Sequence, residues 1–304
     1  MVNHNAEIIA EIVKLKKQKH AVILVHNYQR PEVQDIADFI GDSLELSQRA
    51  SQTTADVIIF CGVHFMAETA YIINPKRTVL LPEPESGCPM ADMITAEALI
   101  AKKKELPGVT VVCYVNSTAA VKAESDICCT SANAVKVVRS LSAKEILFVP
   151  DQYLGQWVSQ KTGKPMHLWP GFCPTHMRIL AEDILREKQL HSGALALVHP
   201  ECRPETKAVA DEVMSTGGMI RYARESKAKE LIIGTETGII YRLQKENPGK
   251  TFIPATEKAV CPNMKRITLE KVLWALQEMQ HRITVPEDIR VRALSAVERM
   301  LAIS

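Results

Sequence analysis

The sequence has no long apolar run. Its uninterrupted apolar stretches, such as "AVILV" at residues 21–25, extend for about five residues, whereas a membrane span needs about 20. The N-terminal segment "MVNHNAEIIAEIVKLKKQ" carries charges at helical intervals and has no apolar core, so it is not a secretory signal. We therefore expect a soluble, cytoplasmic protein with no membrane partner.

The chain also has almost no excess of charge of either sign. The 304 residues include 37 Lys and Arg against 35 Asp and Glu, which gives a net charge of +2. The nearest basic cluster, "KLKKQKH" from Lys14 to His20, is typical of the solvated face of a helix rather than of a nucleic-acid footprint. We expect no nucleic-acid partner.

Closely spaced cysteine pairs are missing as well. The chain has eight cysteines but no C-x-x-C motif, the spacing in which structural zinc ligands commonly occur. In a reducing compartment, thiols are more often ligands, nucleophiles or buried apolar side chains than members of disulfides. Three cysteines stand out because proline follows each of them, and these are Cys88, Cys173 and Cys261.

The chain does contain an internal repeat, and the three Cys-Pro pairs mark it. They are 173 − 88 = 85 and 261 − 173 = 88 residues apart. Before each pair the same features recur in step: a helical segment, a strand, a small-residue turn, a second strand, and a third strand that ends in proline. The second strands, for example, read "ADVIIFCG", "AKEILFVP" and "AKELIIGT". The sequence therefore predicts three copies of one unit, each with three strands.

Strands that alternate with helices are typical of a parallel sheet covered by helices on both faces. We predict an α/β protein made of three homologous three-layer α/β/α domains with parallel sheets, related by pseudo-threefold symmetry. The expected domains are residues 1–92, residues 93–177, and residues 178–304 with two C-terminal closing helices. Ligands bind beyond the carboxyl ends of such strands, so these ends and the three cysteines should converge on one cavity.

Polar side chains follow the first strand of every unit. The strand ends carry "HNY" in the first copy, "YVN" in the second and "HPE" in the third. His26 and His199 are equivalent, because 199 − 26 = 173 is two repeat lengths. Tyr28 and Glu201 stand two residues after them and so share their face of the strand. An imidazole beside a phenol or a carboxylate can bind anions and transfer protons, and we interpret His26 and His199 as catalytic residues together with Tyr28 and Glu201.

Hydroxyl side chains occupy the small-residue turns. Ser43, Ser131 and Thr216 are 131 − 43 = 88 and 216 − 131 = 85 residues apart, and each precedes a helical segment. Such residues commonly cap helix N-termini, and the same N-terminus can hold an anion. The two roles are compatible, and we expect both.

The three Cys-Pro cysteines take equivalent positions in loops after strands, which favours metal ligation over burial as apolar side chains. A [4Fe–4S] cluster takes four cysteine ligands, so three thiolates would leave one iron open to substrate, as in a catalytic metal site. The other cysteines have no equivalents among the copies. Four of them are predicted to be buried apolar side chains: Cys61, Cys113, Cys128 and Cys129. Cys202 follows Glu201 at a strand end, near the predicted cavity.

An alternative function is suggested by "GDSL" at residues 41–44, the signature of GDSL esterases, with Ser43 as nucleophile. That family needs Asp-x-x-His near its C-terminus. The nearest match is Glu278, three residues before His281, in a segment predicted to be one continuous helix. A solvated i,i+3 pair accounts for this spacing, and the threefold repeat is foreign to the esterase fold.

Seven segments together resemble quinolinate synthase, the A protein of bacterial and archaeal NAD biosynthesis. They are "HNYQRPEVQDIADFIGDSLELS", "YVNSTA", "TSANAV", "GFCPTH", "HPEC", "STGGM" and "VCPNMK". The resemblance covers about residues 5–303. It implies condensation of iminoaspartate (iminosuccinate) with dihydroxyacetone phosphate to quinolinate, with loss of phosphate and water. It also implies three α/β domains around a pseudo-threefold axis, and a functional link to L-aspartate oxidase or aspartate dehydrogenase.

The resemblance also implies a cofactor and a site. The cofactor is a [4Fe–4S] cluster held by Cys88, Cys173 and Cys261, whose free iron is a Lewis acid. Tyr28 and Glu201 are implied as the acid/base groups. The residues implied to bind substrate are His26, Ser43, Tyr114, Asn116, Ser131, His199, Glu201 and Thr216. Some family members carry C-x-x-C at the third cysteine, but this chain has Cys-Pro-Asn-Met there, so the resemblance does not extend to a disulfide in that loop.

A second alternative uses the same cluster without catalysis. An iron–sulfur sensor would not need the imidazole, phenol, carboxylate and hydroxyl groups around the cavity, and it would carry a DNA-binding or effector module. No segment of the sequence reads as such a module. The sequence therefore favours an enzyme.

Overall fold

The computed structural model describes residues 2–303. A leading helix opens the first unit, and strands then alternate with helices. The elements are α1 (Val2–Gln18), β1 (Ala21–His26), α2 (Pro31–Asp35), β2 (Phe39–Gly41), α3 (Ser43–Gln52), β3 (Val57–Cys61), α4 (His64–Ile73) and β4 (Thr78–Leu80). The loop with Cys88 follows β4 and runs into a 3₁₀ turn, Ala91–Met93.

The second and third units repeat this order. The second contains α5 (Ala96–Glu105), β5 (Thr110–Tyr114), α6 (Ala119–Ala123), β6 (Ile127–Cys129), α7 (Ala134–Ser140), β7 (Ile146–Val149), α8 (Gln152–Thr162) and β8 (His167–Leu168). The third contains α9 (Ala181–Leu190), β9 (Leu195–Val198), α10 (Pro204–Ala208), β10 (Glu212–Val213), α11 (Thr216–Glu225), β11 (Glu230–Gly234), α12 (Ile239–Glu246) and β12 (Thr251–Pro254). The chain then continues through α13 (Leu269–Glu278) and α14 (Glu287–Leu301).

Each unit contributes one parallel four-stranded sheet. The strand orders are β2-β1-β3-β4, β6-β5-β7-β8 and β10-β9-β11-β12, so the same topology occurs three times. The two central strands of each sheet are rich in Val, Ile and Leu and are buried along most of their length. This burial is expected of a parallel sheet that has helices on both faces. The predicted fold class is confirmed.

The prediction of three strands per unit was too low by one. The extra strands β2, β6 and β10 are only two or three residues long and lie at a sheet edge beside the first strand. A strand of that length has too few residues to give an alternating pattern. The closing prolines also differ in position: Pro254 ends β12, whereas Pro82 and Pro170 lie two residues beyond β4 and β8.

Short polar side chains start many of the helices that surround the sheets. Asp42 accepts hydrogen bonds from the N–H groups of Leu44 and Glu45 at the start of α3, and the Glu45 side chain accepts one from the Asp42 N–H. This capping box fixes the entry of the chain into the helix. The same capping role at later helices falls to Thr95, Thr118, Asp151, Ser215 and Thr268.

The largest apolar core is continuous through the first two sheets and the C-terminal helices, while the third sheet has a separate cluster on each face. Helix α13 packs against α1, and α14 packs against α6, β6 and α4. The end of the chain therefore joins the first and second units. The domain boundaries expected at residues 92 and 177 fall inside 3₁₀ turns and stay a prediction. Within residues 2–303, no helix is long and apolar enough to span a bilayer.

Candidate active site

One cavity of about 250 Å³ lies where loops from all three units meet. It contains the carboxyl ends of β1, β5 and β9, the turns and helix starts that follow β2, β6 and β10, and the three Cys-Pro loops. Its lining includes every residue that the sequence analysis assigned to the site: His26, Tyr28, Ser43, Cys88, Tyr114, Asn116, Ser131, Cys173, His199, Glu201, Thr216 and Cys261. The structure thus brings all twelve together, and their roles stay predictions.

The three cavity cysteines share one local geometry. Each is half-buried, is followed by proline, and leads into a 3₁₀ turn that begins three residues on. Burial raises the pKa of all three thiols, that of Cys88 to about 12. The N–H at the start of each 3₁₀ turn hydrogen-bonds the sulfur and opposes this rise, since it favours the thiolate. The net shift is upward, so each is a neutral thiol near pH 7 in the metal-free protein, and the N–H group is a donor that would stabilise a metal-bound thiolate.

The other five cysteines lie elsewhere. Cys61, Cys113, Cys128, Cys129 and Cys202 are fully buried, and none of them lines the cavity. In Cys202, which stands next to the cavity residue Glu201, the thiol faces the Gly234 carbonyl at 3.6 Å instead.

His26 and His199 have the same environment in the first and third units. The N–H of the residue two positions on, Tyr28 or Glu201, donates to Nδ1 of the histidine at 3.2 or 3.4 Å. This assigns the ring proton to Nε2, which in His199 lies 3.2 Å from the Ser131 hydroxyl. Burial lowers the pKa of both imidazoles to about 3. Both are therefore neutral hydrogen-bond donors near pH 7.

A chain of hydrogen bonds links Tyr28 to Tyr114 through residues of three loops. The Tyr28 hydroxyl lies 2.5 Å from Thr235 Oγ1, which lies 2.8 Å from His176 Nε2. His176 Nδ1 lies 2.6 Å from one oxygen of Glu201, and the Tyr114 hydroxyl donates to the other at 2.6 Å. With the histidine proton on Nδ1, every link has one donor and one acceptor. We call this chain the tyrosine–glutamate relay.

Electrostatics fix the resting protonation of this relay. Burial alone would raise the pKa of Glu201, but His176, His199 and the hydrogen bonds from His176 and Tyr114 lower it to about 2. Burial, followed by the charge of Glu201, raises the pKa of Tyr28 well above its usual range, and the same two causes act on Tyr114. Near neutral pH the relay therefore holds an ionised carboxylate and two neutral phenols.

His176 and Thr235 were not predicted from the sequence. His176 follows Cys173 by three residues, at the position where the other cysteine loops have Ala91 and Met264. A polar residue where the other copies have apolar ones can indicate a functional site, and the sequence shows this difference at His176. Thr235 follows β11 directly, and its equivalents are Pro150 and Gly62, so it too departs from the repeat.

The three hydroxyl residues face the cavity, but the expected capping role lies elsewhere. Asp42 and Ser215 cap α3 and α11, so Ser43 and Thr216 are the first residues of these helices. Thr216 Oγ1 accepts a hydrogen bond from Asn27 at 3.0 Å. Asp42 and Ser215 accept from the N–H groups of Leu44, Glu45 and Gly218, and the positive end of each helix dipole still favours an anion nearby. The cavity thus receives the N-terminal ends of helices from the first and third units.

Two further groups offer ligand-binding capacity. The side-chain oxygen of Asn116 is buried and has no hydrogen-bond partner among the described residues, so it is an acceptor available to a ligand. Cys173, His176 and Glu201 place one potential ligand atom each within 4.8 Å of one another. Thiolate, imidazole and carboxylate form a set that Zn²⁺ accepts.

The acid and histidine of the alternative esterase site do not join Ser43 in the cavity. Helix α13 ends at Glu278, and Met279 adopts a left-handed conformation, so the predicted continuous helix through His281 was wrong. Glu278 and His281 are exposed, and neither lines the cavity that contains Ser43.

A family model and three named relatives of this chain agree on one family. The family model described as Quinolinate synthetase A protein matches residues 10–302. A quinolinate synthase of Dehalococcoides mccartyi is 60% identical over 293 residues, which cover 96% of this chain and 97% of that protein. One of Thermodesulfovibrio yellowstonii is 56% identical over 304 residues, 100% and 99% of the two chains. Quinolinate synthase 1 of Methanosarcina acetivorans is 56% identical over 298 residues, 98% of each.

Proposed function

The chain belongs to the quinolinate synthetase A protein family, and from this premise we propose that it condenses iminoaspartate with dihydroxyacetone phosphate to quinolinate, releasing phosphate and water. Its curated relatives are named quinolinate synthase, so the chain is an enzyme of NAD biosynthesis. We also propose that the enzyme uses a [4Fe–4S] cofactor and the site residues named above. Its imino acid would be supplied by L-aspartate oxidase or aspartate dehydrogenase. The observation that carries it is the convergence of three equivalent thiols on one cavity with the tyrosine–glutamate relay.

The cysteine loops fit the proposed cluster. Cys88, Cys173 and Cys261 supply three sulfurs, and each has an N–H directed at it. Thiolates are the ligands that iron–sulfur clusters take, and hydrogen bonds to sulfur tune them. When bound, such a cluster supplies a Lewis acid at the iron that has no cysteine ligand.

The remaining cavity groups fit small, anionic substrates. Iminoaspartate carries two carboxylates, and dihydroxyacetone phosphate carries a phosphate group. The hydroxyls of Ser43 and Thr216 at helix starts can hold such oxygens. His199 adds a neutral N–H donor, and the unpartnered Asn116 oxygen can accept a hydrogen bond from an imine or hydroxyl group. These groups orient the substrates without adding net charge.

The relay moves protons between Tyr28 and Glu201. A proton passes from Tyr28 to Thr235, from Thr235 to His176 Nε2, and from His176 Nδ1 to Glu201. Neutralising Glu201 removes the negative charge that raises the pKa of Tyr28, so the phenolate becomes easier to form and can accept a proton from substrate. In the reverse movement Glu201 gives its proton back along the relay, while Tyr28 passes the proton taken from substrate to a departing hydroxyl group, which leaves as water. The relay thus allows acid and base steps at one residue.

A mononuclear metal at Cys173, His176 and Glu201 is the second candidate, because these ligand atoms lie close together. Such an ion would occupy His176 and Glu201 and so would interrupt the relay. It would also leave Cys88 and Cys261 without a role. We therefore favour the cluster.

The test is anaerobic purification, iron and sulfide analysis, and an assay for quinolinate with both substrates supplied. We expect about four irons per chain and quinolinate formation that needs both substrates. One zinc per chain, or no product from a fully loaded protein, would refute the proposal. An iron–sulfur protein that forms no product would support the sensor alternative.

A further inference from the structure

Glu236 is a fully buried carboxylate at the edge of the cavity. One of its oxygens accepts a hydrogen bond from the Cys261 N–H at 3.1 Å, and the other accepts one from the Gly238 N–H at 2.8 Å. None of its side-chain surface is exposed. These two hydrogen bonds tie the loop of the third cysteine to the segment after β11. A buried carboxylate also requires a compensating charge.

Lys265 supplies that charge and adds a second connection. Its ammonium group lies 3.0 Å from Glu236, and 20% of its side-chain surface is exposed. The same group donates a short hydrogen bond to the backbone carbonyl of Tyr28. Arg30 Nε in turn donates to the Lys265 carbonyl at 2.7 Å. The Cys261 loop and the segment that carries Tyr28 are thus joined by the Glu236–Lys265 ion pair and by the hydrogen bond from Arg30 to the Lys265 backbone.

Gly238 shows how closely these groups approach one another. A Cβ atom at this position would lie 2.4 Å from the Lys265 ammonium, 2.6 Å from the Tyr28 carbonyl oxygen and 2.8 Å from Glu236. Backbone atoms cannot yield to such a contact, so the position requires glycine.

The carboxylate contact is specific to the third unit. The equivalents of Glu236 are Asp151 and Val63, since 236 − 151 = 85 and 151 − 63 = 88. Asp151 uses its side chain to cap α8, and the second cysteine loop is held there by a backbone hydrogen bond from Gln152 to Gly171. Only the third cysteine loop, among the described residues, is held by an ion pair that also contacts Tyr28.

We propose that Glu236 and Lys265 are positioning residues that fix the Cys261 loop against the Tyr28 backbone, so that cluster retention and the placement of Tyr28 depend on one ion pair. The inference rests on the proposed function, because it requires a cluster at Cys261. Glu236 holds the cysteine loop, Lys265 neutralises Glu236, and only Lys265 reaches the Tyr28 carbonyl. The two roles can therefore be separated by mutation.

The experiment compares Lys265→Met, the double variant Lys265→Met with Glu236→Gln, and Lys258→Met in full-length protein reconstituted without oxygen. Lys258 is an exposed lysine of the same loop and serves as the matched control. The measurements are the half-life of cluster absorbance in excess chelator and the quinolinate turnover per bound cluster. The melting temperature of the cluster-free proteins reports general stability.

In Lys265→Met, Glu236 is left buried without a partner, so we expect cluster half-life and turnover per cluster each to fall about 10-fold. The double variant removes the unpaired charge and keeps an acceptor for the Cys261 N–H, although its amide nitrogen replaces the oxygen that accepted from the Gly238 N–H. It should regain most of the half-life but not the turnover, since the link to Tyr28 is still absent. Lys258→Met should match the wild type.

Unchanged half-life and turnover in Lys265→Met would overturn the inference. So would a loss that follows the melting temperature of the cluster-free protein and is not relieved in the double variant. Gly238→Ala gives an independent test. Its control is Gly249→Ala, because a Cβ at Gly249 meets open space. Turnover should fall in Gly238→Ala and stay unchanged in Gly249→Ala. If instead the wild type binds no cluster, the proposed function fails, and the two failures are distinguishable.

Discussion

His176 Nδ1 lies 2.6 Å from Glu201 Oε2, and only 2% and 3% of the two side chains are exposed. His176 begins the 3₁₀ turn after Cys173, whereas Glu201 follows β9 in the next unit. The contact therefore links a cysteine loop of the second unit to a strand end of the third. His176 Nδ1 also lies 3.1 Å from Cys173 Sγ. The Glu201 carboxylate, the His176 imidazole and the Cys173 thiol therefore form one hydrogen-bonded group.

The first prediction concerns Thr235, the smallest link of the tyrosine–glutamate relay. Thr235→Val keeps the shape of this buried side chain and removes the hydroxyl that joins Tyr28 to His176. We expect turnover to fall about 100-fold with iron content unchanged. Thr237→Val, two residues on and outside the relay, is the control and should retain activity. Equal activity in the two variants would show that protons reach Tyr28 by another route.

The second prediction concerns the two ends of the proton path. Glu201→Gln and Tyr28→Phe should keep the cluster and the fold but lose most quinolinate formation, because each removes a group that accepts or donates the proton. General acid–base groups contribute roughly 10²–10⁴-fold. Steady-state rates at matched iron content measure the effect. Near-wild-type rates in both variants would mean that the acid–base work lies elsewhere.

The third prediction is that the cluster-free protein loses stability as the pH falls from about 6.5 towards 3. Burial lowers the pKa of His26 and His199 from 6.5 to about 3. Between these values the unfolded chain binds protons that the folded chain does not, which costs about 1.4 kcal/mol per pH unit for each histidine. Glu201, whose pKa is lowered from 4.5 to about 2, acts in the same direction below pH 4.5.

Urea denaturation at several pH values tests this dependence. His199→Gln should flatten the fall in unfolding free energy between pH 6.5 and 4. His167→Gln, at an exposed position of β8, should leave the slope as it is in the wild type. Parallel profiles for all three proteins would mean that His199 is already protonated in the folded state.

The repeat explains how much of the site could be predicted from the sequence. Features that occur in all copies, such as Cys88 and its two equivalents, were identified by their spacing alone. The pairing of His26 with His199 was found in the same way, and the structure gives both rings the same N–H donor geometry. Equivalent positions lie at the same place in each of the three units, which share one topology. Residues at equal spacing in the sequence therefore meet at the same cavity.

Residues that depart from the repeat were harder to find. Thr235 and His176 have equivalents of a different chemical type, and their function arises from contacts between units. His176 meets Glu201 across 201 − 176 = 25 residues, and Thr235 meets Tyr28 across 207. Spacing within one unit carries no information about such contacts. The short strands β2, β6 and β10 were not predicted for a local reason, since two or three residues give no period and no repeated proline marks them as it marks β4 and β8.

The fourth prediction separates the proposed function from the esterase alternative. Ser43→Ala should weaken use of the imino diacid, because Ser43 lies at the start of α3 inside the cavity. The expected change is a rise in KM of about 10-fold, the size of one lost hydrogen bond to a charged group, with the cluster retained. The wild type should hydrolyse no small esters. Covalent labelling of Ser43 by a fluorophosphonate would reverse this conclusion.

The fifth prediction compares two groups of cysteines. Serine at Cys88, Cys173 or Cys261 should abolish or severely impair cluster assembly and activity, even without oxygen, because these three are the cysteines that line the cavity among the described residues. Serine at Cys61, Cys113, Cys128 or Cys129 should leave iron content and activity largely intact. These four side chains are fully buried, so the added hydroxyl should cost about 1–3 kcal/mol of unfolding free energy.

Iron and sulfide analysis, activity and denaturation together distinguish the two groups. Stability should fall in the second group while the cluster is retained, and the cluster should be lost in the first group. Substrate or a carboxylate analogue should also perturb the cluster spectrum of the wild type, since an iron without a cysteine ligand is open to it. A fully active Cys173→Ser protein with four irons bound, or a spectrum indifferent to substrate, would contradict ligation by three cysteines.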